Sequence, residues 1–207
     1  MERALSDSIR WSAEGTRLLV KAVSGLDEDG YARPTALPGW TRRHVVGHVA
    51  ANADALGNLV RWAATGVETP MYASPEERVA GIERAAAMSA TNLETRLTES
   101  AARLTEAMDR LTDEQWRRPV VTAQGRTVAA TELPWMRARE VCVHAVDLDL
   151  GITFADLPEG FLTELREEIR TKRGLDVVPS GPLPEVTAWL AGRPHSLTDA
   201  LRLDPWL

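Results

Sequence analysis

Arg139-Glu140-Val141-Cys142-Val143-His144-Ala145-Val146-Asp147-Leu148 is the stretch on which the fold turns. Glu140 and His144 stand four residues apart, so on a helix their side chains stack on one face, and Asp147 follows three further along. Val141, Val143, Ala145, Val146 and Leu148 make the rest of the surface apolar, the mark of a helix buried on most sides. Ionisable groups in such a place need a partner, a metal or a proton. A carboxylate and an imidazole projecting together suit a divalent cation, and a His₂Glu set with one open position is a known catalytic zinc arrangement. The plain alternative is a helix-surface ion pair with Asp147 solvated.

The surrounding chain supplies the other walls. The helix itself spans about 131–150, with Pro134 in its first turn, where a missing N–H costs little. Thr41 caps a helix reaching about Thr65, with Val45, Val49, Leu56, Leu59 and Ala63 at helical spacing. An earlier helix covers about 6–24, with Ile9, Ala13, Leu19, Val20 and Val23 on one side and Gly25 as its stop. Ser74-Pro75-Glu76-Glu77 opens a further helix toward Leu111, with a break near Ser89-Ala90-Thr91. Residues 112–130 read as irregular, with a short hairpin in Val120–Val128. Four long helices predict a mainly α, four-helix bundle over residues 1–155. Residues 156–207 predict a small C-terminal domain: a helix over 158–172 with Phe161, Leu162, Leu165 and Ile169, a Gly- and Pro-broken run, and a short helix over 186–190.

Composition narrows the partners. The 207 residues carry 24 Lys and Arg against 30 Asp and Glu, a net charge of −6 without a basic block. That argues against nucleic acid or an anionic membrane as partner. One cysteine, Cys142, cannot form an internal disulfide and favours a reducing compartment. The opening Met1-Glu2-Arg3-Ala4-Leu5-Ser6-Asp7 has no signal-peptide pattern, and no apolar run approaches the ~20 residues of a membrane span. The expectation is a cytoplasmic globular protein.

The chain has four histidines: His44, His48, His144 and His195. His48 lies beside the inward stripe of the second helix, whereas His44 sits in its first turn near the rim. In a bundle, ligands project inward from facing helices, so His48 with Glu140 and His144 makes three protein ligands. A histidine bonded to a backbone carbonyl is the plain alternative for each. Cys142 falls on the opposite helix face and reads as core. Arg126 and Arg193 sit in loops from which a guanidinium fork can reach a carboxylate in a cleft; the plain alternative is two surface arginines. Trp40, Trp62, Trp116 and Trp135 read as core or rim packing.

Leu37-Pro38-Gly39-Trp40-Thr41-Arg42-Arg43-His44-Val45-Val46-Gly47-His48 resembles the second-helix signature of the DinB-like, mycothiol-dependent maleylpyruvate isomerases. The likeness continues in Thr65-Gly66-Val67-Glu68-Thr69-Pro70-Met71-Tyr72, Thr122-Ala123-Gln124-Gly125-Arg126-Thr127-Val128 and Trp135–Leu148. The resemblance implies a DinB-like four-helix bundle with a small C-terminal α/β appendage, here shortened between Lys172 and Ala191. It implies zinc, or another divalent metal, on His48, Glu140 and His144, and a functionally needed arginine at Arg193. The implied activity is the cis–trans isomerisation of maleylpyruvate to fumarylpyruvate in gentisate (aromatic) catabolism, with mycothiol as thiol co-substrate. Alternatives are a mycothiol S-transferase acting on another electrophile, a non-catalytic metal-binding bundle, and a metal-free scaffold.

Overall fold

The computed structural model describes residues 3–198 and 200–206. Helix α1 spans Leu5–Val23, and a one-turn helix α2, Glu28–Ala32, follows. Then come α3 (Arg42–Thr65), α4 (Pro75–Ala86) and α5 (Ala90–Asp109). The short α6 (Asp113–Trp116) leads into a hairpin of β1 (Pro119–Val121) and β2 (Thr127–Ala129), paired antiparallel with Val120 opposite Val128. A 3₁₀ turn over Ala130–Glu132 enters α7 (Leu133–Asp147), followed by α8 (Glu159–Lys172) and α9 (Leu183–Leu190). The four long helices α1, α3, α5 and α7 form the bundle, and α8 and α9 pack on it through Phe161, Leu165, Val186 and Leu190, which join the same apolar core.

Local chemistry sets these boundaries. Gly66 ends α3 with a left-handed φ of 76°, which costs glycine little. The helix expected over 75–111 divides because Ser89 starts a new one, its hydroxyl accepting from the Asn92 N–H, as the Ser74 hydroxyl accepts from Glu77 N–H at the head of α4. The predicted hairpin is present. Among the described residues no strand lies after position 129, so the appendage is two helices and an extended tail rather than α/β. Its Pro- and Gly-rich stretch supplies too few backbone donors in register for a ladder.

The buried face of α1 differs from the expected stripe. Ser8, Trp11, Gly15, Leu19 and Val23 face inward, while Ile9 is 39% exposed and Ala13 faces water. Two features decide this. Trp11 anchors an aromatic cluster, with ring centroids 5.9 Å from Trp135 and 6.3 Å from Phe161. Gly15 lets α1 approach α7 so closely that a Cβ there would lie 2.5 Å from Cys142 Sγ and 2.6 Å from Val141 Cγ2. Gly47 does the same between α3 and α4, where a Cβ would meet that of Ala85 at 2.7 Å. These approaches draw α7 and α3 into the interior, where their polar residues meet. Among the described residues no helix is long and apolar enough to cross a membrane. Replacing Gly15 with valine is expected to destabilise the protein by about 1–3 kcal/mol through overpacking, measured by denaturant unfolding; an unchanged midpoint would mean that α1 and α7 are not in tight contact.

Candidate metal centre

His48 on α3 faces Glu140 and His144 on α7. His48 Nε2 lies 2.9 Å and His144 Nε2 3.3 Å from the same oxygen, Glu140 Oε2. The two imidazoles stand nearly perpendicular, 5.0 Å between centroids, and the Trp40 ring packs edge-on at 5.6 Å from His48. One donor atom from each of the three residues falls within 4.8 Å of the others. His48 and His144 are buried, and Glu140 is partly covered. Two nitrogens and an oxygen from facing helices, converging on one point, fit a divalent cation with a further position open to the cleft.

His44, the histidine read as a rim residue, caps a helix. The Thr41 N–H donates to its Nδ1 at 3.2 Å, and the Thr41 hydroxyl lies 2.7 Å from the same nitrogen, fixing the start of α3. Cys142 is buried against α1, and burial pushes its thiol pKa far up, which makes it inert. Asp147 is fully buried and its Oδ2 lies 2.8 Å from His144 Nδ1, orienting that ring with Nε2 toward Glu140.

His48 and Glu140 of this cluster line a cleft of about 740 Å³, with His144 buried behind them. Its walls come from the segment before α4 (Met71, Tyr72), from Arg78 in the first turn of α4, from the hairpin turn (Gln124, Arg126), from Arg139 and Lys172, and from Trp206 of the tail. Arg126 thus lines the cleft. Arg193 does not: it is 5% exposed and its guanidinium is bound to Asp147 behind the cluster. The carboxylate that attracts this fork is the protein's own. Sequence reasoning assigned no role to Tyr72, Arg78, Arg139, Lys172 or Trp206. Tyr72 closes the Thr-Gly-Val-Glu-Thr-Pro-Met-Tyr stretch, a visible signal. Trp206 gave none, since only the folded tail brings it between Arg139 and Lys172, with each cationic group 5.3 Å from its ring.

Electrostatics bind the cluster together. Burial acts to raise the Glu140 pKa, but hydrogen bonds and charge from His144 and His48 outweigh it and hold the carboxyl well below its usual range. For His144 burial acts downward, and the bonds to Asp147 and Glu140 overcome it, lifting the ring to about 9. His48 goes the other way, because burial outweighs its bond to Glu140. Arg137, buried beside them, donates to the Val49 carbonyl at 2.7 Å and to Asn52 Oδ1 at 3.0 Å. Without metal, the raised His144 pKa stabilises the fold fully below pH 6.5, its ordinary value, and that contribution is lost as pH rises through about 9. The unfolding temperature of metal-free protein is therefore expected to fall across that window, and the fall to flatten in His144→Gln; a rising or level curve in the unsubstituted protein would contradict it.

Residues 12–149 match the family model described as the mycothiol maleylpyruvate isomerase N-terminal domain. No curated protein matches significantly. Among solved structures, the crystal structure of the mycothiol-dependent maleylpyruvate isomerase is 35% identical with a TM-score of 0.90, covering 98% of this chain and 96% of that one. A histidine-to-alanine mutant of an isomerase of the same name is 34% identical with a TM-score of 0.89 over the same shares. YfiT from Bacillus subtilis, described as a probable metal-dependent hydrolase with an unusual four-helix bundle topology, is 22% identical with a TM-score of 0.57, covering 70% of this chain and 85% of that one, and shares the fold alone. A bundle of the DinB and YfiT kind with these matches over most of its length belongs to the mycothiol maleylpyruvate isomerase family.

Proposed function

We propose that this protein is a zinc- and mycothiol-dependent cis–trans isomerase that converts maleylpyruvate to fumarylpyruvate. The observation that carries the reading is the convergence of His48, Glu140 and His144 on one point at the base of a cleft whose wall holds Arg78 and Arg126. Family membership supplies the thiol and the substrate class. A His₂Glu set accepts several divalent ions, with zinc the natural first occupant.

Rotation about a carbon–carbon double bond is prohibitively slow until that bond becomes single. Addition of a thiolate to the activated alkene forms a carbon–sulfur bond and moves the π electrons onto the conjugated carbonyl as an enolate. Rotation and collapse of the enolate then expel the thiolate unchanged, so the thiol is not consumed. A free thiol has a pKa near 8.5, and a divalent ion on the three ligands supplies the Lewis acidity that shifts it to the thiolate. Arg126 in the hairpin turn and Arg78 beside Tyr72 hold the substrate carboxylates, and their charge favours the developing enolate. Glu140 and the two imidazoles are the metal ligands, and Asp147 keeps the His144 ring in place. The substrate and mycothiol are the expected partners, and dependence on a reduced thiol accords with a cytoplasmic location.

The test follows the ultraviolet absorbance of maleylpyruvate on zinc-loaded protein, with and without mycothiol. Turnover is expected to need the thiol, to leave it unconsumed, and to fall in His48→Ala by more than the ~10–100-fold typical of outer-shell changes. Arg126→Ala is expected to lower kcat/KM about tenfold or more, through a raised KM and a reduced kcat together, because it removes both a carboxylate contact and charge facing the enolate. Zinc-replete protein without turnover, or with mycothiol consumed in step with a conjugate seen by mass spectrometry, would replace isomerisation with transfer to another electrophile.

A further inference from the structure

Arg193 has a defined place outside the cleft. The end of α9 is a Schellman cap: Gly192 takes a left-handed φ of 67°, its N–H returns to the Trp189 carbonyl at 2.9 Å, and the Arg193 N–H returns to that of Ala188 at 2.9 Å. The carbonyl of Asp204 crosses so close that a Cβ on Gly192 would lie 2.3 Å from its oxygen, so only glycine allows both the turn and the crossing. This cap aims Arg193 at α7. Its Nε donates to Asp147 Oδ1 at 2.9 Å, its Nη2 to Oδ2 at 2.8 Å, and its Nη1 to the Ala191 carbonyl at 2.7 Å. Asp147 Oδ2 in turn lies 2.8 Å from His144 Nδ1.

We propose that Arg193 is a positioning residue for the metal site, acting through Asp147 to hold His144 with Nε2 directed at the shared ligand point. The inference rests on the metal reading above. A bidentate guanidinium fixes the plane of a carboxylate as well as neutralising it. The fixed plane sets the hydrogen bond at His144 Nδ1, and that bond sets the ring orientation, the outer-shell arrangement that metal-ligating histidines use. A substrate carboxylate reaching Arg193 would have to displace Asp147 and leave a wholly buried carboxylate without its charged partner. The C-terminal segment therefore bears on metal binding although it contributes no ligand.

Zinc affinity of the full chain, measured by competition with a chromophoric chelator, tests this without relying on turnover. Arg193→Gln and Asp147→Asn are each expected to weaken zinc binding about 10–100-fold, with Arg193→Lys intermediate, and KM for maleylpyruvate at saturating zinc is expected to stay unchanged in Arg193→Gln. Equal zinc affinity in Arg193→Gln and the unsubstituted protein would overturn the inference, as would a raised KM with normal zinc affinity. Failure of the unsubstituted protein to bind zinc would instead overturn the metal reading. Should the variants not fold, the Arg193 Nε–H resonance of the unsubstituted protein decides: it is expected to shift on addition of zinc and not on addition of maleate, and the reverse pattern would overturn the proposal.

Discussion

Glu140 is a carboxylate set in an otherwise apolar bundle, and much of the structure follows from what keeps it charged there. An uncompensated buried charge costs several kcal/mol, so its neighbours are fixed by necessity. His48 reaches it from α3, and His144 lies beside it one helical turn along α7. His144 leans on Asp147, Asp147 on Arg193, and Arg193 on the cap that ends α9. Three parts of the chain distant in sequence are thereby tied to one point. The same compensation leaves donor atoms converging where a cation can join them.

The cleft above that point has a charge of its own. The chain as a whole is acidic, at −6, and in this concavity Arg139 and Lys172 share Glu168, but Arg78 and Arg126 line it with no carboxylate paired to them among the described residues. Two unpaired guanidinium groups facing a cleft attract small carboxylates. Trp206 packs against two of those side chains and brings the tail into the wall. The shape of the site thus depends on the hairpin, the segment before α4 and the last residues together, on a floor supplied by the bundle.

Much of this was legible in the sequence because helical periodicity is local. Spacing alone put Glu140, His144 and Asp147 on one face, and separated the inward His48 from His44 at the rim. The face of α1 was misread because apolarity does not report fit: Ile9 is greasier than Gly15, but only glycine admits α7 at that distance. In the sequence Arg193 reads only as a loop arginine, at the surface or reaching a carboxylate in a cleft. Which carboxylate it meets is set by a left-handed glycine and a crossing tail, neither visible as a pattern. The place of Trp206 likewise arises only when the tail folds over the cluster.

The central claim is that a thiol meets a divalent ion held by His48, Glu140 and His144. X-ray absorption at the zinc edge addresses it directly, on zinc-loaded protein before and after mycothiol is added. The account predicts nitrogen and oxygen scatterers alone at first, at about 2.0–2.2 Å, and one sulfur at about 2.3 Å once the thiol is present. A coordination sphere that gains no sulfur, or that is unaltered in His48→Ala, would contradict it.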